Sequence, residues 1–226
     1  MARFSHTDLE LALSLERFGR YLAWAGGDQE RAIELYTLNT RISESLYTPL
    51  QSLEVALRNR IHVVMTEALG GEGWFHQAGV LLNERQPEQL AKAIDDLRAV
   101  NKTPTPGRIV AALSFGFWTA MFGPDYEGLW RATLHRIAAK PDGTGLRRKD
   151  FSGPLTPIRT IRNRIAHHEP IIMWDLRKHH KKMVELTRWL SPAAAAWCSD
   201  NDRFEQVYPA DRISLANIPE DVASSS

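Results

Sequence analysis

Apolar residues in this chain recur with the period of a helix almost wherever they recur. Near the start Leu11, Leu15, Phe18 and Leu22 stand at i, i+4, i+7 and i+11, one stripe of an α-helix. Few stretches alternate with period two for long, so a sheet has little to be built from. Breakers divide the pattern: "GGD" at Gly26 to Asp28, Pro49, "GGEG" after Leu69, the Pro104 to Gly107 turn and Pro124. The spacing predicts helices over about 8–24, 29–47, 50–69, 87–100, 107–122, 125–139, 154–168 and 174–190. "GTGLRRKDFSG" reads as a polar loop before the seventh of these. The stretch after Pro192 is polar, and beyond about residue 215 it is expected to fray. No linker or composition break cuts the chain, so the expectation is one all-α domain over 1–226, a helical bundle with additional packed helices.

A chain of 226 residues, 43% hydrophobic and 24% charged, has the make-up of a globular protein with a real core. It contains no apolar run of the roughly 18 residues that a membrane span needs. Its first residues lack the apolar segment and small-residue cleavage site of a signal peptide, so a cytoplasmic protein that does not engage a membrane is expected. Cys198, the single cysteine, cannot form an intramolecular disulfide or a cysteine-based zinc site, which fits a reducing compartment.

Net charge is only +1, yet its distribution is uneven. Between Lys140 and Arg188 twelve basic residues stand against five acidic ones, and four of the eight histidines lie there too. Such a field suits a phosphate-bearing partner. It is equally what a solvated helix face looks like when acidic segments elsewhere offset it.

Inside this region lies "TIRNRIAHHEPIIMW", Thr160 to Trp174. On a helix Asn163 and His167 share one side, as do Arg164 and His168, while Arg162 and His167 diverge by about 140°. Glu169-Pro170 ends or kinks the helix, because the residue before a proline is pushed out of the α region. The two histidines therefore arrive at a helix terminus. An imidazole beside a guanidinium has the chemistry for cleaving a phosphodiester with a neighbouring hydroxyl. Histidine moves protons near neutral pH, and arginine holds the charge of a crowded phosphorane. RNA brings its own nucleophile in the 2′-hydroxyl, so such a site needs no metal and no cofactor.

"RNRIAH", Arg162 to His167, resembles the motif of the HEPN superfamily of helical ribonucleases, an arginine and a histidine separated by four to six residues. The wider words "LYTLNTRISESLYTPLQSLEVALRNRIH", "GRIVAALSFGFWTAMF", "YEGLW" and "IRNRIAHHEPI" are similar to its Abi-like branch, bacterial proteins named for abortive phage infection. The likeness extends from about Phe18 to Leu190. It implies an all-α fold, often a homodimer, and metal-independent endoribonuclease activity with a phage-defence or toxin role. By position Arg162 would hold the phosphate, Asn163 would orient the motif or touch RNA, and His167 would be the acid/base. His168, Glu169 and Arg164 are supporting candidates that the family motif does not demand. An antitoxin or regulatory protein is a possible partner of such an enzyme.

"LRNRI" at Leu57 to Ile61 returns nearly intact as "IRNRI" at Ile161 to Ile165, by chance, by duplication, or as two converging basic faces. That echo makes Arg58 and Asn59 candidate RNA contacts beside Arg159, Lys178 and Lys181. Their plainer role is helix-to-helix contact or solvation. His168, His179 and His180 raise a zinc reading, which adjacent helical histidines about 100° apart do not favour, and no metal ligands are assigned. Trp74, Trp118, Trp130 and Trp189 lie in apolar stretches and read as core. The alternatives to the nuclease are a non-catalytic helical RNA-binding or regulatory protein using the same basic patch, and a purely structural helical partner.

Overall fold

The computed structural model describes residues 12–13, 15–211 and 213–216, with the backbone alone at 15–17. Its helices are α1 (Leu15–Trp24), α2 (Gln29–Ser45), α3 (Tyr47–Leu69), α4 (Arg85–Ala99), α5 (Pro106–Ala112), α6 (Phe115–Ala120), α7 (Glu127–Ala132), α8 (Arg148–Ala166), α9 (Leu176–Leu190), α10 (Pro192–Asn201) and α11 (Phe204–Val207). Short 3₁₀ turns lie at Trp74–His76, Pro124–Tyr126 and Leu134–Ile137. The described residues contain no strand, and the fold class is all-α. No helix among them is long and apolar enough to cross a membrane. The start of the helix expected over 8–24 falls partly outside the described residues, as does the tail beyond 216.

Where helices differ from the expected spans, a local device accounts for it. The span 107–122 is two helices, because Leu113 and Ser114 are extended and the Ser114 hydroxyl caps α6 by accepting from the Phe117 N–H at 3.3 Å. The span 125–139 breaks at Thr133, with φ −141° and ψ −56°, and finishes as a 3₁₀ turn. α8 begins at Arg148 rather than 154, so half of the expected polar loop is helical in spite of Pro154 and Pro157. An interior proline costs about 3 kcal/mol. Burial of Phe151, Leu155 and Ile158 at roughly 1.5–3 kcal/mol each is of the size needed to offset the two that α8 contains. The segment after Pro192 is helical as well: the Ser191 hydroxyl accepts from the Ala194 N–H at 3.2 Å, proline opens the helix, and four alanines follow.

The chain divides into two compact units, each continuous in space and discontinuous in sequence. The first comprises the described parts of Met1–Thr48, Ile161–His180 and Asp202–Ser226. Its α1 packs on α2, with the Tyr21 ring edge-on to Trp24 and to Tyr36 at 5.5 and 5.4 Å. α11 also packs on α2, and its Phe204 is fully buried between His180 and Tyr208, stacked on both.

The second unit comprises Pro49–Thr160 and Lys181–Asn201. Leu53, Leu57, Ile61 and Met65 form the buried stripe of α3. Trp74, Trp118 and Trp130 are core, as their context predicts, while Trp189 is half-buried edge-on to Phe151. Gln86, fully buried, donates to the Phe117 carbonyl at 3.0 Å and accepts from the Tyr126 hydroxyl, which itself accepts from the Leu82 N–H at 2.7 Å. Burial pushes the Asp150 carboxyl upward, but hydrogen bonds and charge from Lys140 and Arg147 prevail and hold it at about 2.

Candidate functional site

The apolar stripe of α8 passes through Phe151, Leu155, Ile158 and Ile161, which leaves the rest of its last turns to polar residues. Arg162 and Arg164 are half-buried there, and Asn163 and His167 are exposed. The helix stops at Ala166. His167 still donates its N–H to the Asn163 carbonyl at 3.0 Å, so it keeps helical register, and its divergence of about 140° from Arg162 holds.

The ending is a Schellman turn. The His168 N–H reaches the Ile165 carbonyl at 3.0 Å, and the Glu169 N–H reaches back to the Arg164 carbonyl at 2.7 Å. His168 takes the left-handed conformation this turn demands, at φ 56°. Glycine normally sits there; a histidine costs on the order of 1–2 kcal/mol. Three contacts hold the turn in place. Arg164 donates from Nε to the Pro170 carbonyl at 2.9 Å and pairs with Glu169 at 3.3 Å. Downstream, the buried Asn39 side chain of α2 accepts from the Ile171 N–H at 2.7 Å. Asn39 escaped the sequence reading because a polar residue within a helix pattern carries no mark of its distant partner.

The supporting residues thus divide by what they touch. Arg164 and Glu169 close the turn on each other. His168 is exposed at the strained position, adjacent to His167. Lys178 is exposed in the first turn of α9, where its N–H bonds the capping Asp175 carboxylate at 3.1 Å.

Other candidates belong to the second unit. Arg58 donates to the Ala111 carbonyl at 3.3 Å, a contact from α3 to α5, and its buried Nε has no partner. Asn59 is exposed beside a mainly apolar cleft of about 410 Å³, which also holds Trp197, itself 54% exposed. Arg159 is half-buried and lines a separate cleft with Arg148 and Lys149. Lys181 is exposed on α9.

Ion pairing thins the basic surplus read from the sequence. Lys140 and Arg147 share Asp150, Arg148 pairs with Glu127, Arg164 with Glu169 and Lys182 with Glu185. Arg177 covers the Tyr208 ring at 5.0 Å and donates to the Pro209 carbonyl at 2.9 Å.

The second histidine pair is interior. His179 and His180 are 6% and 7% exposed. His180 binds the Asp202 carboxylate through Nε2 and stacks on Phe204 at 4.3 Å, and its Nδ1 is buried without a partner. His179 lies edge-on to Trp174 at 5.8 Å; burial, then Lys178, depresses its pKa below 6.5. Among the described residues no group of three or more His, Cys, Asp or Glu side chains could hold a metal ion.

The turn thus presents an exposed imidazole at the end of a helix, five residues and about 140° away from a half-buried guanidinium. No family model, curated protein or solved structure matches this chain.

Proposed function

We propose that this chain is an endoribonuclease of the HEPN kind, of the Abi-like branch, acting in phage defence or as a toxin. The observation that carries the reading is the turn after α8: the Arg162–His167 motif ends on a rigid Schellman turn that leaves His167 exposed and keeps it in helical register with Arg162. An imidazole exposed at a helix end is within reach of a substrate.

In the proposed reaction the RNA 2′-oxygen loses its proton and attacks the adjacent phosphorus, and the bond from phosphorus to the 5′-oxygen breaks. The products are a 2′,3′-cyclic phosphate and a 5′-hydroxyl, with the proton delivered to the leaving oxygen. His167 moves a proton, Arg162 neutralises the phosphorane, and Asn163 orients the strand. Deprotonation and protonation occur on opposite sides of the phosphorus. Two copies of the motif facing each other across a two-fold axis would serve both ends, and would also remedy the 140° divergence of Arg162 and His167 on one helix. The active species in this reading is therefore a homodimer in the cytoplasm, and an antitoxin or regulatory partner would restrain it.

The test is one sequence offered in three backbones. RNA should be cut, whereas the same sequence as DNA or as 2′-O-methyl RNA should survive, because both lack the nucleophile. DNA cut as fast as RNA would end the 2′-hydroxyl mechanism. Binding of RNA without cutting would identify a non-catalytic RNA-binding protein instead.

A further inference from the structure

The second unit contains a cleft whose chemistry the Arg162–His167 site does not use. It occupies about 580 Å³ against the first half of α8, within the ~300–1,000 Å³ typical of small-ligand sites. Arg148, Lys149 and Arg159 line it, with Ser152 and Thr156 between them and Asp125 as the acidic member of the wall. Arg148 is committed elsewhere, through Glu127 at 2.8 Å and the Phe122 carbonyl. Lys149 and Arg159 are in no ion pair among the described residues, although other cations of this basic stretch are neutralised. Residues 149, 152, 156 and 159 follow helical spacing of three, four and three, so all four side chains lie along one side of α8. Gly153 also lines the cleft, and a Cβ built on it meets nothing within 4 Å, so the wall is open at that point.

We propose that this cleft binds the phosphate of a nucleotide-sized ligand, with Lys149 and Arg159 as the anion's donors and the Ser152 hydroxyl between them. Lys149 and Arg159 start about 15 Å apart along α8, within the combined reach of a lysine and an arginine on one phosphate, and its three peripheral oxygens can take donors from two directions where a carboxylate offers only two. Arg148, fixed by Glu127 and the Phe122 carbonyl, adds positive potential without moving. The phosphate can come from a free nucleotide or from an RNA strand.

The experiment measures binding to the His167→Ala protein by calorimetry, so its outcome does not depend on whether the chain cuts RNA. The probes are adenosine 5′-monophosphate, adenosine and a 12-nucleotide RNA. Either adenosine 5′-monophosphate or the RNA should bind. Lys149→Ala and Arg159→Ala should each weaken that binding about tenfold, as loss of a charge-assisted hydrogen bond would. Lys149 is exposed, so its substitution leaves the fold intact should the half-buried Arg159 prove less tolerant. Nucleotide binding with adenosine at least tenfold weaker assigns a free ligand; RNA binding alone, weakened by both substitutions, assigns the strand. Adenosine binding as tightly as its monophosphate would overturn the proposal, as would both probes binding the Lys149→Ala protein like the parent, or neither binding at millimolar concentration.

Discussion

The first unit contains two adjacent-histidine pairs, and the fold treats them oppositely. His167 and His168 stand exposed where α8 ends, one in helical register and the other in a left-handed turn. His179 and His180 are buried on α9, where they meet Trp174, Phe204 and Asp202. The same dipeptide is interior when its helix carries it along an apolar stripe and exterior when a proline stops the helix just beyond it. The first pair is open to solvent. The second serves the fold.

The largest effect that separates the pairs should be on cleavage. His167→Ala should lose RNA cutting by about 10²-fold or more, the lower end of general acid/base contributions, with a melting temperature like the parent's because the ring is exposed. Parental rates from this variant would remove His167 from the mechanism and erase the contrast.

His180→Ala should act on stability instead. It removes a buried ring and leaves the Asp202 carboxylate, whose side chain is 11% exposed, with the Phe204 N–H at 2.8 Å but without its imidazole partner, so urea unfolding should show a loss of about 3 kcal/mol. A loss below about 0.5 kcal/mol would mean that the buried pair is not structural.

A smaller shift of opposite sign belongs to the exposed pair. At φ 56° His168 is strained in a way glycine is not, so His168→Gly should raise stability by about 1 kcal/mol in the same unfolding assay. An unchanged midpoint would show that the turn carries no such strain.

The smallest effect is a pH slope from His179. Its folded pKa is depressed by burial, so at pH values falling through 6.5 the unfolded chain takes up the proton first and stability declines. Above 6.5 the contribution is fully present. His179→Gln should flatten stability between pH 5 and pH 7; an equal slope in both proteins would place its origin elsewhere.

Much of this contrast was available in the sequence. The helix end at Glu169-Pro170 is a local effect, and so the exposure of the first pair follows from residues within one turn of it. The burial of the second pair was legible too, since Leu176, His179, Met183 and Leu186 fall at i, i+3, i+7 and i+10, yet histidine is not ordinarily scored as a core residue. Ser191-Pro192 before four alanines is a helix start that a polar average over the tail conceals. What no sequence window holds is the partner of a long-range contact: Asn39 with the Ile171 N–H, or Arg148 with Glu127. Those contacts fix the turn beyond α8 and start that helix six residues before the span 154–168, and both depend on tertiary packing.

The central claim is that Arg162 and His167 cut RNA with its own 2′-hydroxyl, and the most direct measurement is the chemistry of the new ends. Purified protein incubated with RNA in excess EDTA should leave 2′,3′-cyclic phosphate, or its hydrolysis product, on one fragment and a 5′-hydroxyl on the other. Products carrying a 5′-phosphate and a 3′-hydroxyl, or cleavage that stops on chelation and returns with magnesium, would contradict it.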